Sequence, residues 1–202
     1  MVSGYSVEKA VALANEAAGI SVSRRGVVAV STDDLNFSLN GPVQSRSKIL
    51  RNSDEVLKNI EKQKLLNNRV VFTNGCFDIL HPGHVQYLRS AKQLGCTLIV
   101  AVNSDESVKR LKGDTRPLNC LEDRMIVLSE LEAVDFIVPF SEDTPIELIK
   151  CILPDVLVKG GDYSIKEIVG WNVVQDNGGE VKSLEFIKGC STTGLINKMN
   201  SR

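Results

Sequence analysis

Histidine is scarce in this chain. Its only two, His81 and His84, sit three residues apart in the run NGCFDILHPGHVQYL at 74–88. At that spacing on a nascent helix two imidazoles lie near one face, and Gly83 keeps the backbone between them open. Imidazole N–H groups so placed can hydrogen-bond a phosphoryl group whose negative charge grows in a transition state. A metal centre would need further His, Cys or Glu at ligand spacing, and the sequence around the pair offers none. Other groups suited to phosphate recur along the chain. Asn74, Gly75, Cys76, Phe77 and Asp78 precede the histidines. Asn103-Ser104-Asp105 is followed by Lys109, Lys112 and Arg116. Lys159-Gly160-Gly161-Asp162 and Lys188-Gly189-Cys190-Ser191-Thr192-Thr193 come later. Glycines admit a ligand close to the backbone, while ammonium groups, hydroxyls and helix N-termini hold anions.

These residues need elements that bring them to one rim. Short apolar, β-rich runs predict strands over 69–73, 97–102, 135–140, 155–160 and 180–186. Amphipathic patterns predict helices over 53–66, 83–94 and 121–133, a further one at 104–111, and a last one from about Ser191. At 144–153 the pattern reads as a helix capped by Thr144, begun by Pro145 and closed by Glu147 in a capping box. Uncharged strands alternating with helices imply an α/β protein with a doubly wound, Rossmann-like parallel sheet. Ligands bind such sheets beyond the carboxyl ends of the strands, where the residues above follow.

Composition limits the remaining possibilities. The 202 residues carry 24 Lys and Arg against 25 Asp and Glu, a formal net charge of -1, so neither nucleic acid nor an anionic membrane is an expected partner. No apolar run approaches membrane-spanning length. Five scattered cysteines, an odd number without a Cys-x-x-Cys pair, fit a reducing, cytoplasmic setting rather than a disulfide framework. Texture divides the chain into a helical N-terminal piece at 1–35, a polar linker at 36–50 and a main domain at 51–202.

The His-x-Gly-His spacing after the first strand of the main domain resembles the signature of the nucleotidyltransferase superfamily. With FTNGCFDILHPGHVQYL come AVNSDESVKRLKGDTRP, EDRMIVLSELEAVD, DTPIELIKCILPDVLVKGGDY and NGGEV before GCSTT. In that order they resemble the C-terminal adenylyltransferase domain of the bacterial bifunctional D-glycero-β-D-manno-heptose-7-phosphate kinase/heptose-1-phosphate adenylyltransferases, over about residues 48–200. The resemblance implies a nucleotidyltransferase fold and transfer of an adenylyl group from ATP, with Mg²⁺, to a sugar 1-phosphate. The products would be ADP-heptose, for lipopolysaccharide core synthesis, and pyrophosphate. It implies catalytic roles for His81, His84, Lys109 and Lys112. It implies nucleotide contacts from Asn74, Gly75, Cys76, Phe77, Gly83, Ser191, Thr192 and Thr193, and acceptor contacts from Asp78, Arg124, Lys159 and Asp162. Bland roles stand beside several of these: a solvated helix face for the two lysines, an ion pair with Glu122 or Asp123 for Arg124, and a buried turn carboxylate for Asp78.

One departure bears on the nucleotide. Related cytidylyltransferases carry Arg-Thr-Glu-Gly before the Ser-Thr pair, and this chain has Ile187-Lys188-Gly189-Cys190. Rival readings are a cytidylyl- or adenylyltransferase for glycerol phosphate or another phosphorylated acceptor, and a non-catalytic nucleotide-binding module. The N-terminal VEKAVALANEAAGISVSRRGVVAVS resembles the last helix and closing segment of a ribokinase-type sugar kinase, without that family's Gly-Ala-Gly-Asp anion hole. Its apolar face, Val7, Val11, Ala14 and Ala18 with Ala10 and Leu13 beside it, makes a homo-oligomer one expectation.

Overall fold

The computed structural model describes residues 7–23, 29–30, 35 and 48–185; Ser191, Thr192, Thr193 and the expected last helix lie outside the described residues. The chain forms two compact units, Met1–Gln44 and Ser45–Arg202. In the first, helix α1 spans Val7–Ser23, buries Ile20 and leaves Val11, Ala14 and Ala18 exposed, with Val22 at 86%.

The second unit is an α/β sandwich. Its elements run α2 (Ser53–Leu65), β1 (Val70–Gly75), α3 (Pro82–Lys92), β2 (Thr97–Asn103), α4 (Asp105–Lys112), α5 (Leu121–Ser129), β3 (Phe136–Phe140), α6 (Ile146–Ile152), β4 (Val156–Gly160), a 3-10 turn (Ile165–Glu167), α7 (Trp171–Asp176) and β5 (Glu180–Leu184). The five strands are all parallel, in the order β3-β2-β1-β4-β5. The sequence pattern and the structure agree on a Rossmann-like α/β fold.

Alternation along each strand splits the core into two layers. Val71, Leu98, Val100, Val156 and Val158 pack on one face against Leu88 and Ala91 of α3 and Met125 and Leu128 of α5. Val70, Phe72, Ile99, Ala101 and Leu157 pack on the other against Val56 and Ile60 of α2, Ile149 and Ile152 of α6, and Val174 of α7. Burial on both faces is why the strands read as continuous Val/Ile/Leu runs.

Two local expectations are corrected. Ile49 and Leu50, read as linker, are core residues: Ile49 forms a parallel bridge with Ile137, and the Leu50 N–H donates to the Ile137 carbonyl at 2.8 Å. Two apolar side chains beside an open strand edge are drawn into the core whatever the polarity of the residues before them. The capping box at 144–147 is absent. The Ile149 N–H donates to the Pro145 carbonyl at 3.0 Å, which makes Pro145 the cap residue, and the Glu147 carboxylate pairs with Lys150 instead. A reciprocal box is present further on, between Ser164 and Glu167 around the 3-10 turn.

Candidate active site

The strands' carboxyl ends open into a cavity of about 470 Å³. Its floor comes from β1 and the loop after it, Asn74 to Asp78, with Asn103 from β2 and Lys159 and Gly160 from β4. Its walls are His84 and Tyr87 of α3, Leu111 and Lys112 of α4, and the segments 143–145 and 163–169.

The histidine pair is built by a helix start. His81 is the N-cap of α3 in extended conformation and Pro82 follows at the first helical position, where a missing N–H costs nothing. The His84 N–H donates to the His81 carbonyl at 2.9 Å. One turn of helix therefore stacks the two rings, with centroids 3.9 Å apart and planes inclined by 25°. Phe77 abuts His84 edge-on at 5.4 Å, and the Tyr87 hydroxyl lies 2.6 Å from the Thr73 hydroxyl, fixing α3 to β1. Phe77 adopts φ +47 to make this contact. Gly75 is required beneath it, since a Cβ there would come within 2.9 Å of the Phe77 ring.

The environment keeps these rings neutral. Burial, then the charges of His81 and Lys112, push His84 down to about 4 from an ordinary 6.5, and burial lowers His81 as well. Both Nδ1 atoms are buried without a hydrogen-bond partner among the described residues. Only His84 lines the cavity; His81 is 8% exposed and stands behind it.

The other predicted residues divide clearly. Asn74, Gly75, Cys76, Phe77, Lys112 and Lys159 line the cavity, and buried Gly83 lies in the first turn of α3. Lys109 and Asp162 are exposed and do not line it. Lys109 lies three residues before Lys112 on α4, close to one turn, and it is the later residue that reaches the rim. Asp78 contributes to the floor, but its carboxylate is engaged. It accepts from Arg116 Nε at 2.6 Å and from the N–H groups of Leu118 and Asn119 at 2.8 and 2.9 Å. Burial alone would raise its pKa; the Asn119 and Leu118 N–H groups and the Arg116 guanidinium outweigh that and hold it below the ordinary carboxylate value. It organises the loop at 116–119 and leaves no lone pair suited to a metal or a sugar.

Arg124 corrects the assignment to the acceptor. It is 2% exposed, and every arm of its guanidinium is occupied within the fold. It donates to the carbonyls of Asn119 at 3.1 Å, Cys76 at 2.5 Å and Asn103 at 2.8 Å, and to the Asp105 carboxylate at 2.8 Å. Neither Glu122 nor Asp123 supplies this partner. Arg124 is a strut that joins the ends of β1 and β2 to the starts of α4 and α5.

Two wall segments, 143–145 and 163–169, carry no chemical motif that marks them as part of a site, and Thr144 and Pro145 read only as a helix start. Asp143 is tied to Arg110 of α4 at 2.8 Å, and the 3-10 turn carries Ile168 and Val169 to the cavity wall. Their only advance signal was position, since each segment follows a strand.

Among the described residues no cluster of three or more His, Cys, Asp or Glu forms a metal cage, and no helix is long and apolar enough to cross a membrane. The family model described as cytidylyltransferase-like matches residues 72–198. Bifunctional protein HldE of Pectobacterium atrosepticum is 52% identical over 202 residues, covering 100% of this chain and 42% of that protein. Bifunctional protein HldE of Histophilus somni is 54% identical over 196 residues, 97% of this chain and 41% of that protein. The chain thus spans about two fifths of the length of these curated relatives. Among solved structures, the lipopolysaccharide core biosynthesis protein from Thermoplasma volcanium is 30% identical with a TM-score of 0.50, covering 61% of this chain and 99% of that one. Pantoate-beta-alanine ligase from Francisella tularensis, at 15% identity and a TM-score of 0.50 over 76% of this chain and 78% of its own, shares the fold.

Proposed function

Because the chain belongs to the cytidylyltransferase-like family, a family of nucleotidyltransferases, we propose that it transfers an adenylyl group from MgATP to a sugar 1-phosphate, releasing pyrophosphate. D-glycero-β-D-manno-heptose 1-phosphate is the favoured acceptor and ADP-heptose the product. The motif resemblance supports the heptose and the adenine, and the similarity to the lipopolysaccharide core biosynthesis protein of Thermoplasma volcanium supports a place in lipopolysaccharide core synthesis.

The observation that carries the reading is the stacked, neutral imidazole pair beside Lys112 at the strand ends. In the reaction an acceptor phosphate oxygen forms a bond to the α-phosphorus while the bond from that phosphorus to the bridging oxygen breaks. The acceptor oxygen is already anionic, so no general base is required. What the site must supply is alignment and relief of charge on the α-phosphoryl and departing pyrophosphate. A neutral imidazole can donate to a phosphoryl oxygen from its protonated nitrogen, and Lys112 adds a full charge at the same wall. Gly75 leaves room for the Phe77 ring that abuts His84, and Ser191, Thr192 and Thr193 enter the proposal as further donors. Mg²⁺ arrives with ATP as part of the substrate, in keeping with an ion that retains waters and phosphate oxygens.

The test is pyrophosphate release from each nucleoside triphosphate with a panel of sugar 1-phosphates. ATP with the heptose 1-phosphate should give the highest kcat/KM. A clear preference for CTP, or turnover with glycerol phosphate alone, would remove the heptose assignment.

A further inference from the structure

Strand β1 is paired unequally on its two sides. Its register with β2 runs through all of Val70 to Gly75. With β4 it holds only Val71 to Val156 and Phe72 to Leu157, although β1 continues to Gly75 and β4 to Gly160. On its other side β4 stays paired with β5 as far as Gly160. The sheet therefore parts at one place, between the carboxyl-terminal halves of β1 and β4. Successive strands run outward from β1 on one side and from β4 on the other, so this parting is the switch point of the sheet, where a ligand crevice opens. Asn74, Gly75, Lys159 and Gly160, at its two lips, all line the cavity.

Backbone pairing that stops inside a sheet has to be replaced by other links, because buried N–H and C=O groups need partners. Continued in register, the ladder would next pair Thr73 with Val158 and Asn74 with Lys159. A side-chain link stands at each of these positions, one on either face. On the face of α2, α6 and α7 the Asn74 side-chain oxygen accepts from the Lys159 ammonium at 3.2 Å. On the face of α3 the link is Tyr87. Its hydroxyl lies 2.6 Å from the Thr73 hydroxyl and donates to the Val158 carbonyl at 3.4 Å. Thr73 and Val158 are fully buried and Tyr87 is 6% exposed, so solvent does not compete for these groups. One phenol thus ties both lips of the crevice to the helix that carries His84, three residues before it and on a neighbouring turn.

Building on the nucleotidyl-transfer reading, we infer that Tyr87 is a positioning residue for the reaction: its hydroxyl sets the width of the crevice between β1 and β4 and the place of His84 above the crevice floor. It is neither acid nor base. Burial pushes the phenol up to about 12, against smaller opposing effects of the Thr73 hydroxyl and the Gly160 N–H, so it keeps its proton at neutral pH. Its contribution is geometric, and alignment is what displacement at phosphorus asks of the protein. A phenylalanine would fill the same space and leave the two lips without this link.

The experiment uses the full chain and the variants Tyr87→Phe, Thr73→Val, their double variant and Thr73→Ser, assayed by pyrophosphate release well below each Tm. Tyr87→Phe should lower kcat about 10- to 100-fold, with KM for ATP and for the sugar 1-phosphate within about threefold. Thr73→Val breaks the same link from its other end and should fall in that range, so it gives the answer if Tyr87→Phe does not fold. The double variant should be no more than about twofold slower than the slower single one. Thr73→Ser keeps the hydroxyl and should recover most of the loss. A second reading needs no substrate, because His81 and His84 are the only histidines of the chain: the His84 ring signal in proton NMR should shift in Tyr87→Phe. A lowered Tm with unchanged kcat, or kcat losses that multiply in the double variant, overturns the inference and leaves nucleotidyl transfer intact. A wild-type chain that releases no pyrophosphate with any acceptor removes the transfer reading; the His84 signal then decides, and an unmoved one removes the positioning role as well.

Discussion

Replacing Arg124 with methionine removes the guanidinium and keeps most of the side chain's length. Four hydrogen bonds go with it, three to carbonyls and one to Asp105. The Asn103 carbonyl lies in the buried end of β2, and leaving such a group unsatisfied costs about 1–3 kcal/mol. Cys76 is half-buried and Asn119 exposed, so their carbonyls recover water at less than that. The Asp105 side chain is 31% exposed and also rehydrates, so the 3–5 kcal/mol typical of a broken buried pair is an upper bound. A total near 3 kcal/mol lowers Tm by about 6–12 °C in a domain of this size. Arg124→Lys should recover less than half, because one ammonium cannot reach acceptors spread around a planar fork. Thermal unfolding by circular dichroism reads the stability, and pyrophosphate release on folded protein reads the kinetics. An unchanged Tm together with a large, specific rise in KM for the acceptor would refute the strut and restore Arg124 to the ligand.

Three further outcomes follow from the site. His84→Ala should lower kcat about a hundredfold with little change in KM, and His81→Ala, which acts through the stacked ring, should lower it less; near-normal kcat in the His84 variant would make that histidine structural. Because His84 titrates at about 4 in the fold and at about 6.5 when unfolded, the unfolded chain binds the extra proton between those values. Its contribution to stability is therefore full above pH 6.5 and lost as pH falls towards 4. Tm should fall more steeply from pH 7 to 4.5 in the wild type than in His84→Gln, and equal slopes would count against the neutral imidazole. Gly75→Ala places a Cβ within 2.9 Å of the Phe77 ring that abuts His84; kcat should fall at least tenfold, about 1.4 kcal/mol of barrier, and a variant with full activity would show that Phe77 does not set the ring's position.

The sheet was legible because burial on both faces leaves a strong mark: runs such as VVFT and TLIVAV have no polar phase to misread. The histidine pair was legible for a different reason, since one turn of helix fixes the relation of residues three apart without help from the rest of the fold. Arg124 was not. Its neighbours in sequence are Glu122 and Asp123, whereas three of its four partners are brought to it from the ends of two strands and the start of α4, 19 to 48 residues away along the chain. Local charge counts cannot see such a convergence. The capping box failed on a smaller scale, because Thr144-Pro145-Ile146-Glu147 meets the compositional rule while the Pro145 carbonyl accepts the first helical hydrogen bond. Lys109 and Lys112 look equivalent in sequence, and only the cavity tells them apart.

An open sheet ends in a strand whose outer N–H and C=O groups can template pairing with another molecule. On the β3 side that hazard is met by residues 48–50, where Ile49 bridges Ile137 and Leu50 donates to it. This short piece acts as a selvedge, closing the fabric before α2 begins. A chain trimmed at Ser45 keeps it; a chain trimmed at Arg51 keeps every side chain that lines the cavity and loses the border. Such a trimmed enzyme would be expected to fail by joining to its own copies, as concentration-dependent aggregation, before it failed in chemistry.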